Sequence, residues 1–198
     1  GNMELHEIQQ DVPERVLLVS VDTGEFDAEV SLAELAELVS TAGGEVVDVA
    51  TQKKESPDKA TCLGSGRAEE IALQCRAEDI DLVVMAGFMT IVTQELFQAY
   101  ENAVLNIHPS LIPSFCGKGF YGLRVHEAAL EYGVKVTGAT VHFVNEIPDG
   151  GEILMQKAVK IRPDDTAESL QKRVMRLAEW KILPLAVEQV SAKMIEER

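Results

Sequence analysis

Short runs of apolar, largely β-branched residues recur along this chain, and most are separated from the next by a stretch with helical spacing. Val16-Leu17-Leu18-Val19-Ser20-Val21, Val46-Val47-Asp48-Val49-Ala50, Leu82-Val83-Val84-Met85-Ala86 and Ala103-Val104-Leu105-Asn106-Ile107 are four such runs. A near-continuous apolar run of this length reads as a strand buried on both faces. Between the first two, Leu32, Leu35, Ala36 and Val39 share one face of a helix over 29–42, stopped by Gly43-Gly44. Ala68 to Ala77, Gln94 to Tyr100 and Val125 to Tyr132 read as further helices, and Thr137 to Val144 and Ile153 to Ile161 as further strands. Thr61-Cys62-Leu63 reads as a short strand after a polar loop over Lys53 to Lys59. Asp165-Thr166-Ala167-Glu168 has the form of a capping box that opens a last long helix. The alternation predicts an α/β fold: a Rossmann-like three-layer sandwich with a mostly parallel sheet and helices on both faces.

Composition narrows the function classes. With 198 residues, 46% of them hydrophobic, the chain has enough apolar surface for a real core. No apolar run reaches membrane-spanning length and no basic segment leads into an apolar one, so a cytoplasmic protein is the expectation. A net charge of −15 argues against nucleic acid or an anionic membrane as the main partner. Of that charge, −12 falls in residues 1–80, a composition break that suggests two modules, 1–80 and 81–198, packed as one α/β domain. Cys62, Cys75 and Cys116 lie far apart with no CxxC pair, so free thiols are expected and a zinc site is not. Gly1 before Asn2-Met3 has the look of a tag remnant.

Two clusters can carry chemistry. Asn106-Ile107-His108-Pro109-Ser110-Leu111-Ile112-Pro113 sits where a strand runs out into a loop, the place where ligands bind in open α/β sheets. Asn106 and His108 are two apart on an extended segment and project from the same side. An amide donor beside an imidazole suits oxyanion stabilisation and proton transfer, although the same residues can simply bond neighbouring backbone. The second cluster, His142-Phe143-Val144-Asn145-Glu146-Ile147-Pro148-Asp149-Gly150-Gly151, ends in a Gly-rich turn. Asp149 there is either a carboxylate serving a nearby imidazole or an ordinary turn aspartate. Gly64-Ser65-Gly66 reads as a tight turn into a helix, with a backbone anion site as the other reading.

Taken together, Val84-Met85-Ala86-Gly87-Phe88-Met89, Asn106 to Pro113, Thr137 to Val144, Asp149-Gly150-Gly151, Asp164-Asp165-Thr166, Ala178-Glu179 and Leu183-Pro184 fall in the order and spacing of one family. Residues from about 82 to 190 resemble the C-terminal half of glycinamide ribonucleotide formyltransferase. That resemblance implies a folate-dependent enzyme moving a formyl group from 10-formyltetrahydrofolate, a co-substrate, to a primary amine. It implies Asn106, His108 and Asp149 as catalytic residues, with Met89, His142, Val144 and Gly150 near the pterin and Glu179 contacting the amine substrate. A small-molecule folate is then the partner, no metal is required, and a homodimer is left open. Glu152 stands where the family commonly has Pro, and Thr90 where some members carry Arg.

The first half departs from that pattern. The family's first strand leads into a Gly-rich turn whose amides cradle a phosphate, whereas here it leads into Asp22-Thr23-Gly24-Glu25-Phe26-Asp27, with three acids. Three carboxylates would repel a phosphate. Instead, Glu14 to Val19, Ser31 to Leu38, Thr41 to Val47, Thr51-Gln52-Lys53 and Leu63 to Glu70 resemble the N-terminal domain of the HflX family of ribosome-associated GTPases. No GxxxxGK[ST] occurs, so GTP is not an expected ligand. The expectation is a hybrid with formyltransferase ancestry and weak or absent activity. The alternative is a non-catalytic, ribosome-associated binding module.

Overall fold

The computed structural model describes residues 15–22, 45–53, 65–86, 90–100 and 103–197, and the helical positions Ala33, Ala36, Glu37, Val39 and Ser40. The turn over 23–27, the loop and short strand over 54–63, Gly64, Met89 and the remainder of the 29–42 helix lie outside the described residues.

In chain order the elements are β1 (Arg15–Asp22), β2 (Glu45–Lys53), α1 (Ser65–Ala77), β3 (Leu82–Ala86), α2 (Thr90–Ala99) and β4 (Ala103–His108). There follow α3 (Leu123–Tyr132), β5 (Val136–Phe143), β6 (Ile153–Lys160), α4 (Ala167–Val174), a π-helical turn over Met175–Glu179, and α5 (Trp180–Glu197). One six-stranded sheet has the order β2-β1-β3-β4-β5-β6. Its first four strands are parallel; β5 and β6 run antiparallel to their neighbours. Connection length accounts for the β5–β6 pair, which is joined by a turn too short for a crossover helix, whereas β4 and β5 are antiparallel across a longer connection that contains α3.

Strand alternation builds three layers. Val16, Leu18, Leu82, Val84, Leu105, Ile107, Ala139 and Val141 face one side, against Leu170 and Val174 of α4 and Ile182, Leu183, Ala186 and Val187 of α5. Leu17, Val19, Val83, Met85 and Val104 face the other, against Ala68, Ile71, Ala72 and Cys75 of α1 and Leu96 of α2. This is the α/β, mostly parallel three-layer fold that the alternation predicts.

Three local expectations shift. α1 starts at Ser65, so Ser65 and Gly66 belong to its first turn and not to a turn before it. The capping box is one residue later than expected: Thr166 caps α4, its Oγ1 accepting from Ser169 N–H at 3.1 Å while Ser169 Oγ accepts from Thr166 N–H at 3.0 Å. Asp165 is committed elsewhere, clasped by the Arg173 guanidinium and by Arg162 N–H at 2.7 Å. The last helix is also interrupted, since the π-helical turn divides α4 from α5.

Candidate active site

Four buried polar side chains stand on the face of the sheet that is apolar along β1 and β3. On β4, Leu105 and Ile107 face the α4–α5 core, so Asn106 and His108 project to the opposite side. Asn106 pairs with His142 across β4–β5, and His108 with Thr140, so these partners share that side. All four are almost completely buried. A register shift on β6 next to Val141 and His142 adds local twist where β5 leaves the sheet.

Hydrogen bonds order this group. Asn106 Nδ2–H donates to His142 Nε2 at 3.3 Å, and His142 Nδ1–H donates to the Phe143 carbonyl at 2.9 Å, which places the ring proton on Nδ1. Asn106 Oδ1 is buried with no hydrogen-bond partner, an expensive arrangement that singles this atom out. His108 Nε2–H donates to the Phe115 carbonyl at 2.7 Å.

Asp149 lies in the turn between β5 and β6 with a φ of +50°, a left-handed conformation that Asp tolerates. Its Oδ2 accepts from Gly117 N–H at 2.6 Å, and its Oδ1 lies 3.8 Å from His142 Nε2. Gly151 lets this turn fold back tightly, because a Cβ there would sit 1.6 Å from the Phe143 carbonyl oxygen. The turn therefore delivers its carboxylate beside His142. Loop residues Phe115 and Gly117 engage His108 and Asp149 from above through backbone groups alone.

The electrostatics correct one expectation. Asp149 does push the His108 pKa upward, as does the Phe115 carbonyl. Burial opposes them and dominates, with His142 also lowering it, so the imidazole is held below its ordinary range. The resting ring is neutral at neutral pH, so a carboxylate serving the imidazole does not by itself keep it charged. His126 of α3 is a neighbour that sequence reasoning missed. It is buried, neither ring nitrogen has a partner, and burial, with a smaller contribution from His108, pushes its pKa down to about 4.

The remaining residues named from sequence are placed variously. Val144 N–H donates to the Val104 carbonyl at 2.9 Å and Gly150 N–H to the Ile147 carbonyl at 3.0 Å, so both amides are used within the fold. Glu179 ends the π-helical turn, fully buried, with Oε2 unpartnered and its pKa raised to about 7 by desolvation. Among the described residues no hydrogen bond or ion pair joins it to Asn106, His108, His142 or Asp149. Nor does any cluster of three or more His, Cys, Asp or Glu among them suit a metal ion. Thr140 and Gln156, discussed below, carried no sequence signal beyond lying two residues from His142 and on a β-strand pattern.

A buried Asn–His pair at a strand end, with a carboxylate brought in by a glycine turn, marks the polar site of this α/β protein. The sequence profile of the formyl transferase family matches residues 38–187, and the chain belongs to that family. It is 49% identical over 100 residues to a chloroplastic phosphoribosylglycinamide formyltransferase of Arabidopsis thaliana, which is 50% of this chain and 34% of that protein. It is 43% identical over 108 residues to the phosphoribosylglycinamide formyltransferase of Haemophilus influenzae, 54% of this chain and 48% of that one. The matched stretch thus spans half or less of either relative. The crystal structure of phosphoribosylglycinamide formyltransferase from Anaplasma phagocytophilum superposes with a TM-score of 0.72 at 30% identity, over 92% of this chain and 89% of that one. Coverage that high leaves too few residues outside to omit 1–80, so the structural likeness extends into the first half.

Proposed function

We propose that the site transfers a formyl group from 10-formyltetrahydrofolate to a primary amine, with Asn106, His108 and Asp149 in catalytic roles. The observation that carries this is the buried Asn106–His142 pair with one amide oxygen left unpartnered, beside an imidazole that offers Nε2–H. In the reaction the amine nitrogen bonds to the formyl carbon, the bond from that carbon to N10 of the folate breaks, and the amine's proton ends on N10.

The residues divide that work. Asn106 keeps one Nδ2–H on His142 Nε2 and turns the other to the oxyanion, while its unpartnered Oδ1 accepts an N–H of the attacking amine. His108 releases the Phe115 carbonyl and donates Nε2–H to the same centre. As negative charge develops nearby, that charge and Asp149 both favour imidazolium, so His108 takes up the amine's proton on its unprotonated Nδ1 and gives its Nε2 proton to N10. We place the pterin against the turn through Asp149 and Gly150 and near His142 and Val144, and assign Met89, which lies outside the described residues, to the pterin from its sequence motif alone. We assign Glu179 to the amine substrate, which a carboxyl titrating near neutrality suits.

We further infer that residues 1–80, whose motifs resemble the HflX N-terminal domain, form a first module and 81–198 the formyltransferase half, with the family's likeness reaching back across the join to residue 38. The acidic Asp22 to Asp27 segment lacks the Gly-rich phosphate cradle, and holding reactants together supplies about 7–11 kcal/mol in favourable cases. Transfer to glycinamide ribonucleotide is therefore expected to be poor. A folate analogue should raise the melting temperature; a folded protein that shows no rise at high analogue concentration would remove the folate site. Steady-state transfer to the ribonucleotide at ~10 per second, abolished by His108→Ala, would overturn the impairment.

A further inference from the structure

A row of polar side chains crosses the sheet through one of the reacting groups, and the steps above use only its first member, His108. His108, Thr140 and Gln156 are successive register partners on β4, β5 and β6. Thr140 Oγ1 donates to the Ser110 carbonyl at 2.7 Å and accepts from Ile112 N–H at 3.1 Å and from Gln156 Nε2 at 3.0 Å. A hydroxyl has one proton and two lone pairs, so its capacity is fully used and its direction is fixed. Gln156 Nε2 also donates to the Ile112 carbonyl at 3.0 Å. Both backbone groups of Ile112 therefore end on side chains of the sheet. Leu111 lies close over Gly138, where an added Cβ would come within 2.7 Å of its Cδ2.

From this anchor the chain doubles back over the site. Ser110 Oγ donates to the Ser114 carbonyl at 2.5 Å and reaches the Phe115 carbonyl at 3.5 Å, the same oxygen that receives His108 Nε2–H. Phe115 has a φ of +47°, a conformation that a bulky residue keeps only where its surroundings hold it.

We propose that Thr140 and Gln156 are positioning residues that clamp the 110–115 segment onto the sheet and so set where the Phe115 carbonyl meets the His108 imidazole. Neither touches the reacting atoms. They act through Ile112 and Ser110, and through them on the ring that moves the proton. The groups facing His108 are Asp149 in the β5–β6 turn, His142 on β5 and His126 on α3. Of these influences, Asp149 and the Phe115 carbonyl favour the protonated ring. Freeing the segment lets that carbonyl withdraw, and a hydrogen bond stretched past about 3.5 Å is lost. His108 then titrates lower, and its hold on the proton becomes less well aimed.

The test pairs Gln156→Leu and Thr140→Val with the conservative Thr140→Ser. Gln156 is exposed on β6, so its substitution leaves the core intact, and circular dichroism with the melting temperature verifies each fold. The primary readout is the NMR titration of His108 in the unliganded protein. It should shift downward in Gln156→Leu and Thr140→Val and stay close to wild type in Thr140→Ser. An unshifted titration in both disabling variants overturns the clamp, and a Thr140→Ser protein that titrates like Thr140→Val overturns the hydroxyl's part in it. The second readout rests on the formyl-transfer reading: kcat should fall on the order of 10²-fold with KM for the formyl donor little changed. If wild-type protein transfers no formyl group, that reading fails by itself, and the titration still decides the clamp.

Discussion

The strands at the centre of the sheet, β1 and β3, and the row of residues where β4 meets β5 on one face are equally buried but filled with opposite chemistry. Val16 to Val19 on β1 and Leu82 to Met85 on β3 are apolar and at most 1% exposed; Asn106, His108, Thr140 and His142 on β4 and β5 are polar and at most 4% exposed. Burying a large aliphatic side chain is favourable by roughly 1.5–3 kcal/mol, whereas burying a polar group costs free energy until a partner is found. The centre therefore holds the fold together whatever its exact side chains do. The row must satisfy its groups one by one, and it does so incompletely, leaving Asn106 Oδ1 without a partner, as both nitrogens of the neighbouring His126 on α3 also are. Incomplete satisfaction is the property a ligand can exploit. The site sits at β4, where the sheet changes from parallel to antiparallel pairing.

The sharpest test of this contrast removes a polar member of the row. His108→Asn should lower formyl transfer by ~10²–10⁴-fold, the usual range for losing a general acid or base, with the melting temperature held or raised. A drop of many degrees would instead make His108 a packing residue like those at the centre.

The reciprocal experiment removes a member of the centre. Leu18→Ala should cost about 2–5 kcal/mol of unfolding free energy, read from denaturant titration, while kcat per folded molecule is preserved. Activity lost faster than the folded fraction would break the division between the two regions.

Glu179 extends the comparison to the helical layer. Its folded pKa of about 7 lies above the ordinary glutamate value of about 4.3, so the folded state binds the extra proton between those pH values. Stability should then decline as pH rises through that window, at up to ~1.4 kcal/mol per pH unit, and level off above it. In Glu179→Gln that slope should flatten and the variant should be the more stable protein at pH 8. Identical pH–stability curves for the two proteins would show that the carboxyl is solvated after all.

The smallest effect is expected far from the site. Thr166→Ala removes the cap of α4 and should cost ~1 kcal/mol, with no change in kcat; a larger loss would mean that the Asp165–Arg173 clasp depends on the cap.

Much of the fold was legible because its signals are local. Strands β1 to β4 are branched apolar runs, and the helices show their spacing and their glycine stops. Asn106 and His108 stood out because two polar residues interrupt such a run in register with each other. The capping box was placed one residue early because Asp165 and Thr166 are equally good caps in isolation. Arg173, seven residues after Thr166, removes Asp165 from contention, and only packing brings it there.

What the amino-acid order alone determined, then, was the α/β alternation, the apolar faces and the identity of the polar residues at the end of β4. Tertiary structure decided which of those polar residues meet. Asp149 has its closest imidazole contact with His142, because Gly151 closes the turn under β5. Gln156 reaches Ile112 only through the β5–β6 register, and Glu179 is turned inward at the end of a π-helical turn that no spacing rule announces. Periodicity records which face a residue occupies. Register, turn closure and burial depth depend on segments far apart in the chain, and they alone determine a hydrogen-bond partner or the balance that keeps His108 neutral.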